Sequence, residues 1–403
     1  MKHSLIIFWL FCCLLPAMAQ DNPDETLVFI QDNTVSAISL FGSGTTTLAE
    51  TSPPNPPFGA MNPMISPDGE MVYFSVEGNV WRVPITGDSE PEMVSDLKLI
   101  PWLPITFSPD GTQLMIPVST PDRMIELWVG DLDGANMQQL VSLPERIPCG
   151  TDGVTSDILA YWEQTGLFGN IPLLTWVSET QVLMNDNCFG WFISSVDLDT
   201  NEVAPLDEEM VRVKINPDKR MLAGFIETNN AHQTIRLFDF ATGDQQDFTF
   251  DHHFDQLAWL PDGRLVVSAI TSRAPIAFHP VDEQLALDLY IWFDDEYFGT
   301  DKPDTLPLHQ TTLYIFDPAT GDLTDLWTQE GFNGLPRMVA GNDNVFFSTI
   351  NDFEELAIAF NEGQDQAMVE AAYPSSRIYV TNLDGDAPVL IVKGGKSPAF
   401  FDN

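Results

Sequence analysis

Positive charge is scarce in this chain. Seventeen lysines and arginines stand against 59 aspartates and glutamates in 403 residues, a formal net charge of −42. Such a surface repels phosphate, which argues against nucleic-acid binding and against adhesion to anionic lipid. Long apolar runs are also missing. The run Leu5–Leu15 is too short to span a bilayer stably, and no later run reaches about 18 residues. Cysteine is rare, with four in all, and Cys12 and Cys13 fall inside that early run. The six histidines form no His-x-x-x-His or His-Glu-x-x-His pattern. His252 and His253 are adjacent, so an extended strand points them to opposite sides, while His232, His279 and His309 are scattered. No glycine-rich phosphate loop and no Gly-x-Ser-x-Gly elbow is found, and spacing alone selects no Ser-His-Asp set.

What is present is apolar mass and turn chemistry. A hydrophobic fraction of 44% with 11% aromatics supports a sizeable core and argues against disorder despite the charge. Thirty prolines and 26 glycines, spread along the chain, call for many short elements and tight turns. Residues 1–19 have the form of a signal peptide. Lys2 and His3 precede the apolar core, and Ala17-Met18-Ala19 makes a small-x-small cleavage site before Gln20. No small residue precedes Cys12 or Cys13 in the manner of a lipoprotein anchor, so both are expected to leave with the leader. The mature chain, residues 20–403, is then expected to be exported, periplasmic or extracellular, without a transmembrane segment. Its two cysteines, Cys149 and Cys188, are disulfide candidates in an oxidising compartment; the alternative is two separate buried thiols. No nearby histidine pair completes a metal site on them.

Internal repetition decides the fold. Four segments share an apolar strand, a Pro-Asp turn and a second strand: Pro63–Ser75 (Ser66-Pro67-Asp68-Gly69), Pro104–Val118 (Ser108-Pro109-Asp110-Gly111), Val211–Ile226 (Asn216-Pro217-Asp218) and Phe254–Ile270 (Leu260-Pro261-Asp262-Gly263). Weaker copies lie at Pro172–Met184 and Leu335–Thr349, where Ser178-Glu179 and Gly341-Asn342-Asp343 hold the turn. A second hairpin follows each, with turns at Asp131-Leu132-Asp133-Gly134, Asp197–Asn201, Asp239–Gly243, Asp317–Gly321 and Asn382–Gly385. Two hairpins per unit at a base period near 40 residues describe four-stranded propeller blades.

At these residues the chain resembles the WD40-like propeller repeats of the TolB family, whose hallmark is Ser-Pro-Asp-Gly followed by an Asp-x-Asp-Gly turn. The resemblance covers most of residues 24–403 and implies an all-β propeller. It says little of function. Only about seven residues separate the expected cleavage site from the first strand, so TolB's extra N-terminal α/β domain is expected to be absent, and its Tol-partner role does not transfer. Nor is there room for the hydrolase domain of propeller peptidases.

The C-terminal Ser397–Asn403 has the pattern of a first strand that then stops, while Thr26–Leu48 has that of strands two to four. One blade is therefore expected to be split between the two ends, which closes the ring and removes open sheet edges. Counting it gives seven blades, with six or eight left open by the weak copies. The others fall at about 59–96, 97–143, 170–207, 209–250, 254–329 and 335–393.

Antiparallel alternation puts the strand 1–2 and 3–4 turns on one face. The 2–3 loops and the connections between blades lie on the other. The expected insertions, near 144–169, 271–310 and 351–376, all belong to that second face, where binding residues usually gather. They carry the candidate site residues: Arg146, Tyr161 and Trp162 in the first, and Trp292, Asp294, Asp295, Glu296 and Tyr297 in the second. In the third, Phe353, Leu356, Ala357 and Phe360 follow helical spacing behind Asn351 or Asp352 as N-cap. Cys149 and Cys188 both fall on the elaborated face, which favours a staple between them.

Aromatic rings beside carboxylates suit a sugar-binding surface, and Asp294-Asp295-Glu296 could bind a cation or act in acid–base chemistry, although in a chain this acidic such a run is more often a solvated face. Asp197, Asp199, Asn201 and Glu208 have the spacing of a calcium loop. Glu202 occupies the place of its glycine, however, and strands replace its helices, so an ordinary 3–4 turn is expected. Two readings follow. The first is a non-catalytic exported propeller that binds a protein, peptide or glycan on the insertion-bearing face. The second is a hydrolase or lyase acting on sugars from an acidic site at the channel mouth.

Overall fold

A computed structural model of the protein describes residues 26–31, 34–39, 44–50, 61–76, 78–100, 103–120, 124–144, 173–185, 193–207, 210–228, 231–277, 305–330, 337–341, 343–350, 376–393 and 395–401. These residues form strands and turns, with no helix among them.

The chain enters through β1 (Thr26–Gln31), β2 (Thr34–Ser39) and β3 (Thr45–Glu50). Blade 2 follows with β4 (Met61–Ile65), β5 (Met71–Val76), β6 (Asn79–Pro84) and β7 (Glu92–Ser95). Blade 3 holds β8 (Thr106–Phe107), β9 (Gln113–Ser119), β10 (Met124–Asp131) and β11 (Gln138–Pro144). Blade 4 holds β12 (Leu174–Ser178), β13 (Gln181–Asn185), β14 (Ile193–Asp197) and β15 (Val203–Asp207). Blade 5 comprises β16 (Met210–Ile215), β17 (Met221–Thr228), β18 (Ala231–Asp239) and β19 (Asp244–Thr249). Blade 6 comprises β20 (His253–Trp259), β21 (Leu265–Ala277), β22 (Thr305–Asp317) and β23 (Asp322–Glu330). Blade 7 has β24 (Arg337–Ala340), β25 (Asn344–Ile350), β26 (Ser376–Asn382) and β27 (Val389–Lys393). Finally β28 (Gly395–Phe401) returns to β1, giving blade 1 the order β28-β1-β2-β3.

Seven antiparallel four-stranded sheets make a seven-bladed β-propeller, which settles the count left open between six and eight. The ring closes as the split pattern of the two ends predicts. Thr26 pairs with Phe401, Leu27 with Phe400 and Val28 with Ala399. The side-chain amide of Gln31 also donates to the Lys393 carbonyl at 2.9 Å.

Burial explains why each second strand is a near-continuous apolar run. These strands are covered on both sides by neighbouring blades, so alternation disappears. Val72, Tyr73 and Phe74 of β5 are buried, as are Leu114, Met115 and Ile116 of β9 and Val345, Phe346 and Phe347 of β25. Fourth strands lie at the rim, and β19 is almost wholly exposed. The core is accordingly a series of apolar layers between blades. Leu127, Val129 and Val141 of blade 3 meet Trp176, Val182 and Met184 of blade 4. Phe225 of blade 5 stacks on Phe254 of blade 6 at 5.6 Å. The closing layer sets Leu27 and Phe29 against Phe346 and Ile378 of blade 7. Full burial of each such side chain is worth about 1.5–3 kcal/mol.

The repeated turns are hydrogen-bonded devices. In blade 2, Ser66 Oγ donates to Asp68 Oδ1 at 2.5 Å and accepts from the Met71 N–H at 2.9 Å. Asp68 Oδ1 also accepts the Glu70 N–H at 3.0 Å, and the Gly69 N–H closes on the Ser66 carbonyl at 2.9 Å. Blade 3 repeats this with Ser108, Asp110, Thr112 and Gln113. In blade 5 one side chain does both jobs, since Asn216 Oδ1 accepts from the N–H groups of Arg220 and Met221, each at 2.8 Å. Lys219, at φ 53°, stands there where glycine stands in the others.

Blade 6 departs from the expected boundaries. Strands 2 and 3 do not stop at Ile270 and Thr312 but run on as a ribbon paired to Ala277↔Thr305, so the intervening segment narrows from 271–310 to 278–304. Ser272-Arg273-Ala274-Pro275 has the composition of a loop. Pro275 is tolerated because the register shifts between Arg273 and Ile276, and a bulge needs no ladder N–H there.

Candidate functional site

First strands of adjoining blades touch one another, β28 with β4, β16 with β20, β20 with β24 and β24 with β28, so they form the innermost ring. Each first strand runs from the inter-blade connection toward the Pro-Asp turn. The 1–2 and 3–4 turns therefore share one face, and the described strand ends that bound 145–172, 186–192, 278–304 and 351–375 share the other. Arg146, Cys149, Tyr161, Trp162, Cys188, Trp292, Asp294, Asp295, Glu296 and Tyr297 all lie outside the described residues, as does the helical pattern at 351–360.

The bounding residues are informative. Asn185, the last residue before 186–192, donates its N–H to the Leu173 carbonyl at 2.8 Å and accepts the Leu173 N–H on Oδ1 at 2.6 Å. Leu173 directly follows 145–172. This reciprocal clamp, on an asparagine only 1% exposed, places the exit of one cysteine-bearing segment beside the entry of the other.

The inner wall near this face holds an ion pair that the sequence reading missed. Arg212, third in β16, places Nη1 on both the carboxylate and the backbone carbonyl of Asp255, third in β20. Their side chains are 18% and 12% exposed, so the pair is largely removed from water. Arg212 sits at φ 55°, a left-handed conformation that costs a non-glycine residue about 1–2 kcal/mol. The register breaks at both residues, between Val211 and Lys214 and between Phe254 and Leu257. Behind Asp255, the Gln256 N–H donates to Ser268 Oγ at 2.9 Å. The signal was available as an arginine inside Met210-Val211-Arg212-Val213 and an aspartate straight after Phe254, each interrupting an apolar first strand. The pair cross-links the innermost strands of blades 5 and 6.

Several carboxylates of the opposite face, those of Asp68, Asp110, Asp133, Asp197, Asp239, Asp262 and Asp317, are committed to their turns. Asp197 Oδ1 accepts the N–H groups of Asp199 and Thr200 at 3.0 and 2.8 Å, and its carbonyl takes the Asn201 N–H at φ 59°. These bonds, Thr200's backbone first, hold the Asp197 carboxyl below its ordinary range. The spacing that resembled a calcium loop thus builds an aspartate-capped turn, as at Asp239 and Asp317. Among the described residues no three His, Cys, Asp or Glu side chains converge as a metal site, and no helix is long and apolar enough to cross a membrane.

No family model matches the chain, and no curated protein matches it. Solved structures do. A puromycin-hydrolyzing peptidase from Mycobacterium tuberculosis aligns with a TM-score of 0.54 at 13% identity, over 92% of this chain and 52% of its own. The β-propeller domain of the Trilobed protease from Pyrococcus furiosus aligns with a TM-score of 0.50 at 11% identity, over 91% of this chain and 93% of its own. A TolB structure from Agrobacterium tumefaciens aligns with a TM-score of 0.42 at 15% identity, over 78% and 92%. The fold is what the chain shares with the first two. The chain spans about half the length of the mycobacterial peptidase and 34% of the tricorn protease, which it also matches.

Proposed function

We propose that this chain is an exported, non-catalytic propeller that binds a protein, peptide or glycan through the face from which its long segments leave. The observation that carries this reading is one-sidedness. The strand ends bounding 145–172, 278–304 and 351–375 face one way, while the other face is closed by short turns whose aspartates are used internally. Rigid scaffolds commonly concentrate recognition on such a loop-bearing side. Trp292, Tyr297, Tyr161 and Trp162 would supply stacking area there, Asp294, Asp295 and Glu296 would accept hydroxyl or cationic donors, and Arg146 would pair with a carboxylate. Residues 1–19 would act as the export leader. Cys149 and Cys188 would form a disulfide that ties together the two segments meeting at the Leu173–Asn185 clamp.

The test is a screen of glycan and peptide arrays with the mature chain, repeated with Trp292→Ala/Tyr297→Ala. Loss of every ligand found supports the face assignment; undiminished binding refutes it. Turnover on the same panel, abolished by Asp295→Asn, would replace the binding reading with the hydrolase or lyase one. Thiol titration of the denatured, unreduced mature chain should find no free cysteine. Two free thiols would remove the staple.

A further inference from the structure

A second surface lies on the rim between blades 2 and 3, built from residues the loop-bearing face does not use. An open groove of about 310 Å3 is lined by Met93, Leu97, Trp128 and Met137 together with the exposed Asp96 and the buried Val94 and Ser95. Its base is closely fitted. A methyl group on Gly134 would stand 1.8 Å from the Val94 carbonyl oxygen, and one on Gly130 would stand 2.3 Å from the Met137 sulfur. Gly134 therefore lets blade 3 approach blade 2, and Gly130 lets Met137 fold back against β10 within blade 3. Met93 is 52% exposed on the outermost strand of its blade. Val203, Val389 and Leu390 are likewise exposed on the outermost strands of blades 4 and 7.

The surroundings fix the sign of the occupant. Exposed Asp88, Glu90, Glu92 and Asp96 flank Met93 in sequence, and exposed Asp133 adjoins Gly134. Glu126 brings a carboxylate to the indole itself, accepting Trp128 Nε1–H at 2.9 Å. The neighbouring cations are engaged, Arg82 with Glu92 and Lys98 with Asn79. An apolar groove in an acid rim repels a second copy of this chain and attracts a cationic partner. Two methionines give the lining the adaptability to take different aliphatic or aromatic side chains.

We propose that this groove docks a basic peptide segment of another protein, with one large apolar side chain seated against Met93, Trp128 and Met137 and flanking lysines or arginines on the acid rim. The site is independent of the loop-bearing face, and either assignment can fail alone.

The test uses the mature chain and three fluorescent peptides measured by anisotropy: a phenylalanine flanked by lysines, the same peptide with serine for phenylalanine, and the phenylalanine flanked by glutamates. The lysine–phenylalanine peptide should bind at least tenfold tighter than either other, and more weakly as salt rises. Met93→Lys and Asp96→Lys should each weaken it about tenfold, whereas Glu202→Lys on blade 4, the same change of charge as Asp96→Lys and a larger one than Met93→Lys, should leave it within about twofold. Because Met93 and Asp96 are exposed, circular dichroism should show folded variants. Equal loss in Glu202→Lys, equal binding of the serine peptide, or no binding at all would overturn the proposal, since each leaves only diffuse attraction to an acidic chain or nothing. Concentration-dependent dimerisation in sedimentation, abolished by Met93→Lys, would overturn it in favour of self-association.

Discussion

The two turns of a blade use the same side chain in the same way, yet they answer to different parts of the molecule. In both, an aspartate carboxylate accepts an N–H two residues ahead. The 1–2 turn is self-contained. Its bonds run within six residues, and Gly263 has open space where a side chain would go; the blade 3 turn is the exception, since a methyl group on Gly111 would stand 3.2 Å from Pro67 of blade 2. The 3–4 turn leans on the preceding blade. A methyl group on Gly134 would strike the Val94 carbonyl, one on Gly385 would reach 2.6 Å from the Leu326 carbonyl, and ones on Gly87 and Gly321 would crowd Thr47 and Phe248. A self-contained turn can be rewritten locally, and this chain does so with Asn216–Lys219, Ser178-Glu179 and Gly341–Asp343. A turn that spaces two blades has less freedom. Gly243 breaks this pattern, with nothing within 4 Å, and blade 4 places Asn201 at the corresponding position.

That contrast predicts a graded series. Gly134→Ala should have the largest effect, about 3 kcal/mol or more in denaturant unfolding, because a left-handed φ of 81° and a backbone clash act together. Gly385→Ala should follow at about 2–3 kcal/mol for the same two reasons. Gly243→Ala and Gly263→Ala isolate the conformational part and should each cost about 1 kcal/mol. If all four cost the same, the contact with the neighbouring blade contributes nothing and the distinction collapses. Ser66→Ala, which removes one of the two hydrogen bonds to Asp68 and the acceptor of the Met71 N–H, should cost about 1 kcal/mol. Ser178→Ala in the exposed blade 4 turn should stay within about 0.5 kcal/mol.

The smallest effect is a pH dependence. Hydrogen bonds, first from the Ser66 and Ser108 hydroxyls and then from the N–H groups of Glu70 and Thr112, hold the Asp68 and Asp110 carboxyls below the ordinary 3.8. A lowered folded value means that the stabilisation is complete above about pH 4 and fades as pH falls through the folded values. Protonation of the other carboxylates relieves the repulsion of a −42 chain and acts in the opposite direction. Comparing wild type with Asp68→Asn/Asp110→Asn cancels that shared part. The variant should lose less stability between about pH 5 and pH 3, and parallel curves would deny these carboxyls any role.

The sheets were largely legible because their determinants are local in sequence. Pro-Asp turns, apolar second strands and the split pattern at the two ends all follow from a few adjacent residues. What was not legible depends on neighbours far along the chain. The ribbon to Ala277↔Thr305 was hidden by Pro275, whose accommodation needs a bulge set by the facing strand. Arg212 looked like an unremarked charge until β20 brought Asp255 beside it. The rim groove joins residues 93–97 to 128–137 across a blade boundary, and no spacing rule spans that gap. The loop-borne candidates were chosen for residue type and topology, and their chemistry awaits the binding screen.

Ring closure also imposes an order on biosynthesis. As the polypeptide leaves the ribosome, β1 emerges early with Leu27 and Phe29 needing cover, but its inner neighbour β28 is made only after six further blades. Until then the nascent molecule is an open arc with an unsatisfied edge at its start, and so long-range a pairing is formed slowly. A chaperone that shields that edge during synthesis or translocation would have its greatest effect on yield in this molecule, and a stop codon shortly before Gly395 would leave a nearly complete wheel that cannot latch.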